Sequence, residues 1–213
     1  MRNALARKAY WAVNKLTPLD ITQVLLLDLT ECREPKHDVS SFELGFVGAD
    51  DVRRLTKSGP CELRPELSAM IERGEARCFA AVNKDRLAAY CWFAQDRVSP
   101  EHNAGGSKFA GIGLILPDQM AYLFNAFVLP EFRGQALNQW IFRKAGAELY
   151  REGARWMITT TEWTNAAFQR SAARGGFVKR GHAAEWVIGG QHFFRLPDLG
   201  IPGLRFVGGA AHS

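Results

Sequence analysis

A strand, a tight turn and an amphipathic helix follow one another between residues 121 and 149, and this unit constrains the fold most. The strand ends before Pro130, and Gly134 lies in the turn that follows. Apolar residues then recur at helical spacing, at Leu137, Ile141, Ala145 and Leu149. The first backbone N–H groups of such a helix are unpaired and carry the positive end of the helix dipole. Because Gly134 lets a ligand approach the backbone closely, the unit predicts a binding site for a phosphate or diphosphate.

Composition predicts a single domain with a substantial core. The chain has 213 residues, of which 47% are hydrophobic. Apolar runs such as Val24 to Leu27 are too short to span a bilayer, and the first residues lack the pattern of a secretory signal. The 4 cysteines have neither CxxC spacing nor clustered histidine partners, so neither a disulfide framework nor a metal site is expected. We therefore expect a cytoplasmic protein with reduced thiols.

The basic charge balance favours an anionic ligand. The formal net charge is +5 at pH 7. A phosphate-rich cofactor and an acidic carrier protein both satisfy this balance, and the sequence contains no recognisable nucleic-acid-binding motif. We therefore expect no nucleic-acid partner.

Residues 1–19 form a distinct basic segment. It has no acidic residue, and its four cations are interleaved with apolar and aromatic residues: Arg2, Arg7, Lys8 and Lys15. The pattern predicts either an amphipathic helix that contacts a membrane surface or a partner, or a segment that covers the core or is mobile. The sequence leaves these alternatives open, so membrane association through residues 1–19 stays one of them.

Periodicity and turn residues predict a mixed order of strands and helices. Strands are expected at 22–29, 42–47, 77–82, 87–94, 121–128, 156–161, 177–188 and 191–196, and helices at 49–57, 65–73, 137–149 and 165–174. This order predicts an α/β domain with a mixed sheet and helices on both faces. We expect a basic arm at 1–20, the domain at 21–199, a long binding or lid loop at 99–113, and a loose tail at 200–213.

Two motifs resemble signatures of the GNAT acyltransferase superfamily, whose members transfer an acyl group from coenzyme A to an amine or, less often, another nucleophile. The first, Val128-Leu129-Pro130-Glu131-Phe132-Arg133-Gly134, is similar to the superfamily's phosphate-binding turn. The second is Asn165 followed by Gly176-Phe177. The order of elements from 42 to 196 is similar too, so the resemblance covers about three quarters of the chain. It implies a GNAT-like, mostly antiparallel twisted sheet.

The resemblance also implies where coenzyme A binds. The cofactor would lie between the strands that end at Val128 and Thr161, with its pantetheine arm paired to the main chain like an added strand. The backbone amides from Arg133 to Asn138 would hold the diphosphate, and Arg170 or Arg174 would reach the adenosine phosphates. The implied cofactor contacts are Phe127, Val128, Arg133, Gly134, Gln135, Ala136, Leu137, Asn138, Asn165 and Arg170. Acetyl-CoA is the default donor, and another acyl-CoA or an acyl carrier protein is the alternative.

Three positions depart from the pattern of the superfamily. Ala136 and Asn138 stand where its turn usually has glycine, so we expect diphosphate binding with altered geometry. Ala172 stands where the superfamily often has a tyrosine that protonates the leaving thiolate. That acid is therefore missing at its usual position.

Transfer to an amine requires a base, because an alkylamine is protonated at neutral pH. The candidate catalytic residues are Glu162, Tyr122 and His102, with Glu101 beside His102. Glu162 is alternatively an exposed charge before a helix, and Tyr122 a core residue with a satisfied hydroxyl. Trp163 is a candidate for the wall of the acceptor pocket, and backbone N–H groups near Val128 are candidate oxyanion donors.

We therefore expect an acyl-CoA-dependent N-acetyltransferase that transfers the acyl group directly to a small-molecule or envelope-precursor amine. One alternative is a catalytically idle protein that binds coenzyme A as a sensor or scaffold, which the missing tyrosine and altered glycines favour. Another is a peripheral-membrane acyltransferase that uses a longer acyl donor. The oligomeric state, including a homodimer, is left open.

Overall fold

The structure is a computed structural model, and it describes residues 10, 12, 19–32, 41–57, 65–100, 112–188 and 191–208. The strands are β1 (Leu19–Asp28), β2 (Glu43–Val47), β3 (Ala76–Asn83), β4 (Arg86–Ala94), β5 (Arg97–Val98), β6 (Ile112–Ile115), β7 (Met120–Val128), β8 (Trp156–Glu162), β9 (Val178–Ile188), β10 (Gln191–Arg195) and β11 (Arg205–Gly208). The helices are α1 (Ala49–Lys57), α2 (Pro65–Glu72), α3 (Leu137–Arg151) and α4 (Ala166–Arg174), with short 3-10 turns at Leu29–Glu31 and Pro130–Phe132.

Eight strands form the main sheet, in the order β10-β9-β1-β8-β7-β4-β3-β2. Neighbouring strands are antiparallel except β7 and β8, which are parallel and joined by α3. A parallel pair needs a crossover of this kind, because a tight turn can connect only antiparallel strands. The predicted mixed, mostly antiparallel sheet with helices is confirmed.

Each face of the sheet carries its own core. α3 buries an apolar stripe on one face, through Leu137, Ile141, Phe142, Ala145 and Leu149. α1 and α2 contribute Val52, Leu55 and Leu67 to the core on the other face. Each buried valine, leucine, isoleucine or phenylalanine side chain stabilises the fold by about 1.5–3 kcal/mol relative to exposure. The helical spacing of these residues in the sequence therefore accounts for the positions of the helices on the sheet.

The predicted hairpin between β3 and β4 is confirmed. Lys84 and Asp85 occupy its two turn positions with φ of 46° and 62°. Two consecutive positive φ values characterise the tight turn whose twist matches that of paired strands, and Asp tolerates them better than most residues.

The first strand enters the middle of the sheet. β1 lies antiparallel between β8 and β9, with Thr22 opposite Glu162 and Ile21 opposite Ala184. Five consecutive residues of β1, from Gln23 to Leu27, are almost fully buried. β1 therefore holds the edge of β8 that faces away from β7.

The prediction of a loose tail after Gly200 is wrong for residues up to 208. β11 pairs antiparallel with β6 in a second sheet of order β11-β6-β5, and Ile201, Leu204 and Phe206 pack against the core on the α1 side. Burying these apolar side chains favours an ordered segment despite the glycines. The predicted loop at 99–113 is likewise wrong at its end, since β6 begins at Ile112, and its residues 101–111 lie outside the described residues.

The structure leaves the predicted basic arm largely untested. Of residues 1–18, only Tyr10 and Ala12 are described, so membrane contact through residues 1–19 stays a prediction. The domain boundaries stay a prediction as well.

Candidate functional site

Strands β7 and β8 separate in the middle of the sheet. They pair from Met120 opposite Trp156 to Leu123 opposite Thr159, and no described pair between them lies beyond this point. β7 nevertheless continues to Val128 and β8 to Glu162, each held on its outer side by β4 or β1. The inner backbone edge of β7 after Leu123 is therefore available to pair with an extended ligand.

A bulge bends β7 where this separation begins. The register with β4 shifts between Tyr90 and Trp92, and Asn125 has a φ of 48°. A bulge adds a residue to one strand and increases its local twist, so it turns the end of β7 away from β8.

A run of free backbone donors follows the end of β7. In the part of the chain that the structure describes, the backbone N–H groups of residues 134–138 make no hydrogen bond. Gly134 and Ala136 have φ of 85° and 59°, and α3 begins at Leu137 without a side-chain cap. Successive N–H groups in this geometry, next to the positive end of a helix of 15 residues, form a concave anion-binding surface.

These donors open onto a cleft of about 550 Å³ between the end of β7, the start of α3 and one face of α4. Nine of the ten residues predicted to contact the cofactor line it; the exception is Gln135. The cleft has room for a nucleotide diphosphate, and the unpaired donors fit its charge. The individual contacts stay a prediction.

Arginine side chains make the cleft electropositive. Arg133, Arg170 and Arg174 line it from two sides, and no acidic residue is among its described lining. Arg133 Nε also donates a hydrogen bond to the carbonyl oxygen of Val128 at 3.2 Å, and its guanidinium lies 5.7 Å from the ring centroid of Phe127. Arg133 thus joins the turn to the strand end while presenting its charge to the cleft.

Asn165 has a structural role at the start of α4. Its side-chain oxygen accepts a hydrogen bond from the Phe168 N–H at 3.1 Å, which makes it the N-cap of that helix. Asn165 also lines the cleft. The resemblance implies that Asn165 contacts the cofactor arm or an ordered water, and this contact stays a prediction beside the observed capping role.

The candidate catalytic residues occupy different environments. Tyr122 is 1% exposed, its hydroxyl lies 2.7 Å from Thr160 Oγ1, and burial raises the pKa of the phenol. Glu162 is half-buried at the last position of β8, on the sheet face that also carries Tyr122 and Thr160, and it does not line the cleft. His102 and Glu101 lie outside the described residues. The structure therefore favours a core role for Tyr122. Glu162 lies on the part of β8 that no longer pairs with β7.

Trp163 packs against Tyr10 and does not line the cleft. Its ring lies edge-on to that of Tyr10, with centroids 5.1 Å apart, and it is not a lining residue. Its predicted role in the acceptor pocket stays untested.

The comparisons with known proteins rest on structure, since no protein-family model and no curated protein sequence matches this chain. An acetyltransferase from the GNAT family of Colwellia psychrerythraea superposes with a TM-score of 0.54 at 17% identity, covering 79% of this chain and 56% of that one. A GCN5-related N-acetyltransferase from Sphaerobacter thermophilus gives 0.52 at 13% identity, covering 82% and 54%. The chain has the GNAT fold. The predicted resemblance is confirmed at the level of fold.

A third solved structure with the GNAT fold is the glucosamine N-acetyltransferase region of a fungal multi-domain β-N-acetylglucosaminidase. It superposes with a TM-score of 0.55 at 16% identity, covering 89% of this chain and 23% of that one. The chain spans less than two thirds of the length of all three structures.

Several residues of this GNAT-fold cleft were missed at the level of sequence. They are Ala126, Phe132, Gln139, Ala167, Phe168 and Ser171. Ala167, Arg170, Ser171 and Arg174 follow the i, i+3, i+4, i+7 spacing of one helix face. Helical spacing from Arg170 therefore predicts the other residues of this face.

The departures from the usual GNAT pattern have structural counterparts. Ala172 is fully buried in the core beside α3, so it leaves no space for a phenol at that point of α4. Asn138 lines the cleft, and its side-chain oxygen is buried without a hydrogen-bond partner.

Among the described residues, no group of three or more His, Cys, Asp or Glu side chains is arranged to hold a metal ion. No helix in the described parts of the chain combines the length and apolar content needed to cross a membrane.

Proposed function

We propose that the protein is an acyl-CoA-dependent N-acetyltransferase that transfers an acetyl group directly to a primary amine of a small molecule or envelope precursor. The observation that carries the proposal is the run of unpaired N–H groups at 134–138, opening onto an arginine-lined cleft beside two separated parallel strands. A neutral ligand would gain little binding energy from the N–H groups and arginines. A diphosphate would bind to them, and an extended amide-containing arm attached to it would pair with the free edge of β7.

Binding is divided between backbone and side chains in this proposal. The N–H groups from Gly134 to Asn138 hold the diphosphate, and the inner edge of β7 from Phe127 to Val128 pairs with the pantetheine amides. Arg170 and Arg174 face these groups from α4 and bind the phosphate of the adenosine end. Arg133 keeps the strand end and the turn together.

Acetyl-CoA supplies an activated thioester, whose carbonyl carbon forms the new C–N bond as the C–S bond breaks. The acceptor amine must first lose its ammonium proton, because only the free lone pair is nucleophilic. We assign this proton transfer to the Glu162 carboxylate, directly or through water, because Glu162 lies past the strand separation on the face opposite α4. We propose backbone N–H groups near Val128, after the β7 bulge, as donors to the developing oxyanion.

Protonation of the leaving thiolate does not require a side chain at position 172. A coenzyme A thiol has the acidity of an ordinary thiol, so the thiolate is a good leaving group. It accepts a proton from water or the proton that the attacking nitrogen loses as the tetrahedral intermediate collapses to the amide. The buried Ala172 is therefore compatible with transfer, although it also suits a catalytically idle coenzyme A-binding protein.

The acceptor is proposed as a small amine of the amino-sugar or lipid-linked kind. Support comes from one fold neighbour, described as a glucosamine N-acetyltransferase region, and the identity of 16% makes this a proposal about class only. Acetyl-CoA is proposed as the donor, with a longer acyl-CoA or an acyl carrier protein as the alternative. A cytoplasmic location fits a need for acetyl-CoA.

The test is acceptor-dependent release of free thiol. Purified protein is incubated with acetyl-CoA or a medium-chain acyl-CoA and a panel of amino sugars, alkylamines and lipid-linked amines. We expect release with at least one amine, and we expect Glu162→Gln to lower kcat by about 100-fold or more without changing acetyl-CoA affinity. Glu148→Gln, on α3 and outside the cleft lining, is the matched control.

Two outcomes would change the proposal. Calorimetric binding of coenzyme A without any acceptor-dependent release would favour the idle sensor or scaffold. Absence of coenzyme A binding would remove the proposal altogether.

A further inference from the structure

A mixed apolar and basic surface lies at the β10 end of the main sheet. Its members are Trp186 and Ile188 on β9, Phe193 and Arg195 on β10, and Lys179 and His182 nearer the start of β9; we call it the β9–β10 patch. Register places them on one face. Phe193 pairs with Trp186 and Arg195 with Ala184, while Ala184, His182 and Lys179 pair with Ile21, Gln23 and Leu25 of β1. Directly paired residues share a face of the sheet.

The apolar part of the patch is exposed although large side chains make it up. Ile188 is 64% exposed and Phe193 is 39% exposed. The Trp186 and Phe193 rings are stacked, with centroids 6.1 Å apart and an interplanar angle of 11°. A rigid aromatic pair beside an exposed isoleucine at the end of a sheet is unusual on a surface that contacts only water.

Charge is segregated between the two faces of these strands. On the patch face, the described residues of β1, β9 and β10 include the cations Lys179 and Arg195 but no acidic side chain. Burial lowers the pKa of His182, so this imidazole is uncharged near neutral pH. The acidic residues of the same strands are Asp20, Asp28 and Glu185. Asp20 pairs with Glu185, and Asp20 and Asp28 alternate with the patch-face residues of β1, so all three lie on the opposite face. The patch is therefore apolar at its centre and cationic at its sides.

Tyr10, a described residue of the basic N-terminal segment, contacts the start of β1. The Tyr10 hydroxyl donates a hydrogen bond to the carbonyl oxygen of Leu19 at 3.3 Å, and Leu19 is the register partner of Trp186. Arg7 and Lys8 precede Tyr10, and Lys15 precedes Leu19 in the sequence.

We propose that the β9–β10 patch docks the protein on an anionic lipid surface. Tryptophan and phenylalanine rings insert at the level of lipid headgroups, and lysine and arginine beside them are attracted to anionic lipids. A second copy of the chain fits less well, because two-fold pairing would bring the same cations together across the interface. None of the patch residues lines the described cleft, so the inference goes beyond acetyl transfer and does not depend on it.

The experiment is vesicle sedimentation with the full chain. We expect binding to phosphatidylcholine vesicles that contain about one third phosphatidylglycerol, at least roughly tenfold tighter than to pure phosphatidylcholine and weakened by added salt. The Ile188→Glu, Phe193→Glu double variant should lose at least about fivefold in binding. Tyr150→Glu, an equally exposed aromatic on α3, should retain binding. Circular dichroism and thiol release with a soluble acceptor verify that the variants are folded.

Charge is tested separately. Arg195→Glu should weaken binding by about fivefold or more, whereas Arg151→Glu, exposed at the end of α3, should change it less.

Three results would overturn the proposal. The first is equal binding to neutral and anionic vesicles, and the second is vesicle binding that the double variant leaves unchanged. The third is an absence of vesicle binding together with a dimer, or a complex with acidic acyl carrier protein, that the double variant abolishes.

Discussion

Arg133 Nε donates to the carbonyl oxygen of Val128 at 3.2 Å, so the side chain of the turn holds the last residue of β7. The same guanidinium lies 5.7 Å from the ring centroid of Phe127. Both contacts fix the strand end whose inner edge would pair with a pantetheine arm. The cleft is therefore partly preorganised before any ligand enters.

Replacing Arg133 should affect cofactor binding more than chemistry. We expect Arg133→Ala to raise the KM for acetyl-CoA by about tenfold with a smaller change in kcat, because a charged hydrogen bond contributes about 1.5–3 kcal/mol and is made away from the reacting carbon. Steady-state kinetics at saturating acceptor measures both constants. Arg151→Ala, outside the cleft lining, is the control, and a loss confined to kcat would contradict a positioning role.

Ala136 should be improved by glycine. Its φ of 59° is the left-handed conformation, which costs a residue with a Cβ about 1–2 kcal/mol. We expect Ala136→Gly to raise the free energy of unfolding by about 0.5–1 kcal/mol and to preserve coenzyme A binding. Ala173→Gly, at an exposed position of α4, should instead lower it by about 1 kcal/mol. Urea denaturation compares the two variants, and a fall in stability for Ala136→Gly would refute the argument.

Arg170 should distinguish phosphorylated from dephosphorylated cofactor. If it binds the phosphate of the adenosine end, Arg170→Ala should weaken acetyl-CoA by about tenfold and 3′-dephospho-acetyl-CoA by much less, because only the first ligand carries that phosphate. Arg174→Ala, one turn further along α4, provides the comparison. If each substitution weakens the binding of both ligands equally, neither arginine binds this phosphate.

The ion pair between Arg77 and Glu152 should make stability depend on pH. Arg77 on β3 donates to both carboxylate oxygens of Glu152 beyond the end of α3, and this lowers the pKa of Glu152 from its ordinary value of 4.5. A lowered folded-state pKa contributes stability above pH 4.5, and that contribution is lost as pH falls through the folded-state pKa.

Glu152→Gln should therefore destabilise the protein near neutral pH but not at pH 3. The side chains are 34% and 46% exposed, which limits the expected effect to about 1 kcal/mol or less. Arg77→Ala should cost more, since the Arg77 guanidinium also lies 3.6 Å from the Phe46 ring centroid. Thermal melts across pH 3–7 measure both, and a pH-independent effect of Glu152→Gln would contradict the assignment.

The cleft was largely predictable because its main contributors are close in sequence. Residues 127–138 form one continuous strand end, turn and helix start, so motif and helical spacing together place them at one site. Gln135 is the exception, because an exposed turn residue directs its side chain away from the lining although its N–H remains unpaired. On the other side of the cleft, helical periodicity predicts which residues of α4 share a face with Arg170.

The candidate catalytic residues were less predictable. Tyr122 and Glu162 lie on neighbouring strands, yet one side chain is enclosed in the core and the other sits at a strand end. Alternation along a strand indicates which residues share a face but not how deeply that face is covered. Depth depends on what other elements pack there, including the segment from Ile201 to Phe206.

The amino-acid sequence by itself determined the strand, turn and helix around Pro130, the β3–β4 hairpin and the apolar stripes of α1 and α3. Each of these depends on residues within a few positions of one another, through turn conformations and side-chain periodicity. Only the tertiary structure decided that β1 lies between β8 and β9, that β7 and β8 separate after Leu123, and that β11 pairs with β6. Strand partners are selected by packing between residues far apart in the chain, and local sequence patterns do not specify that choice.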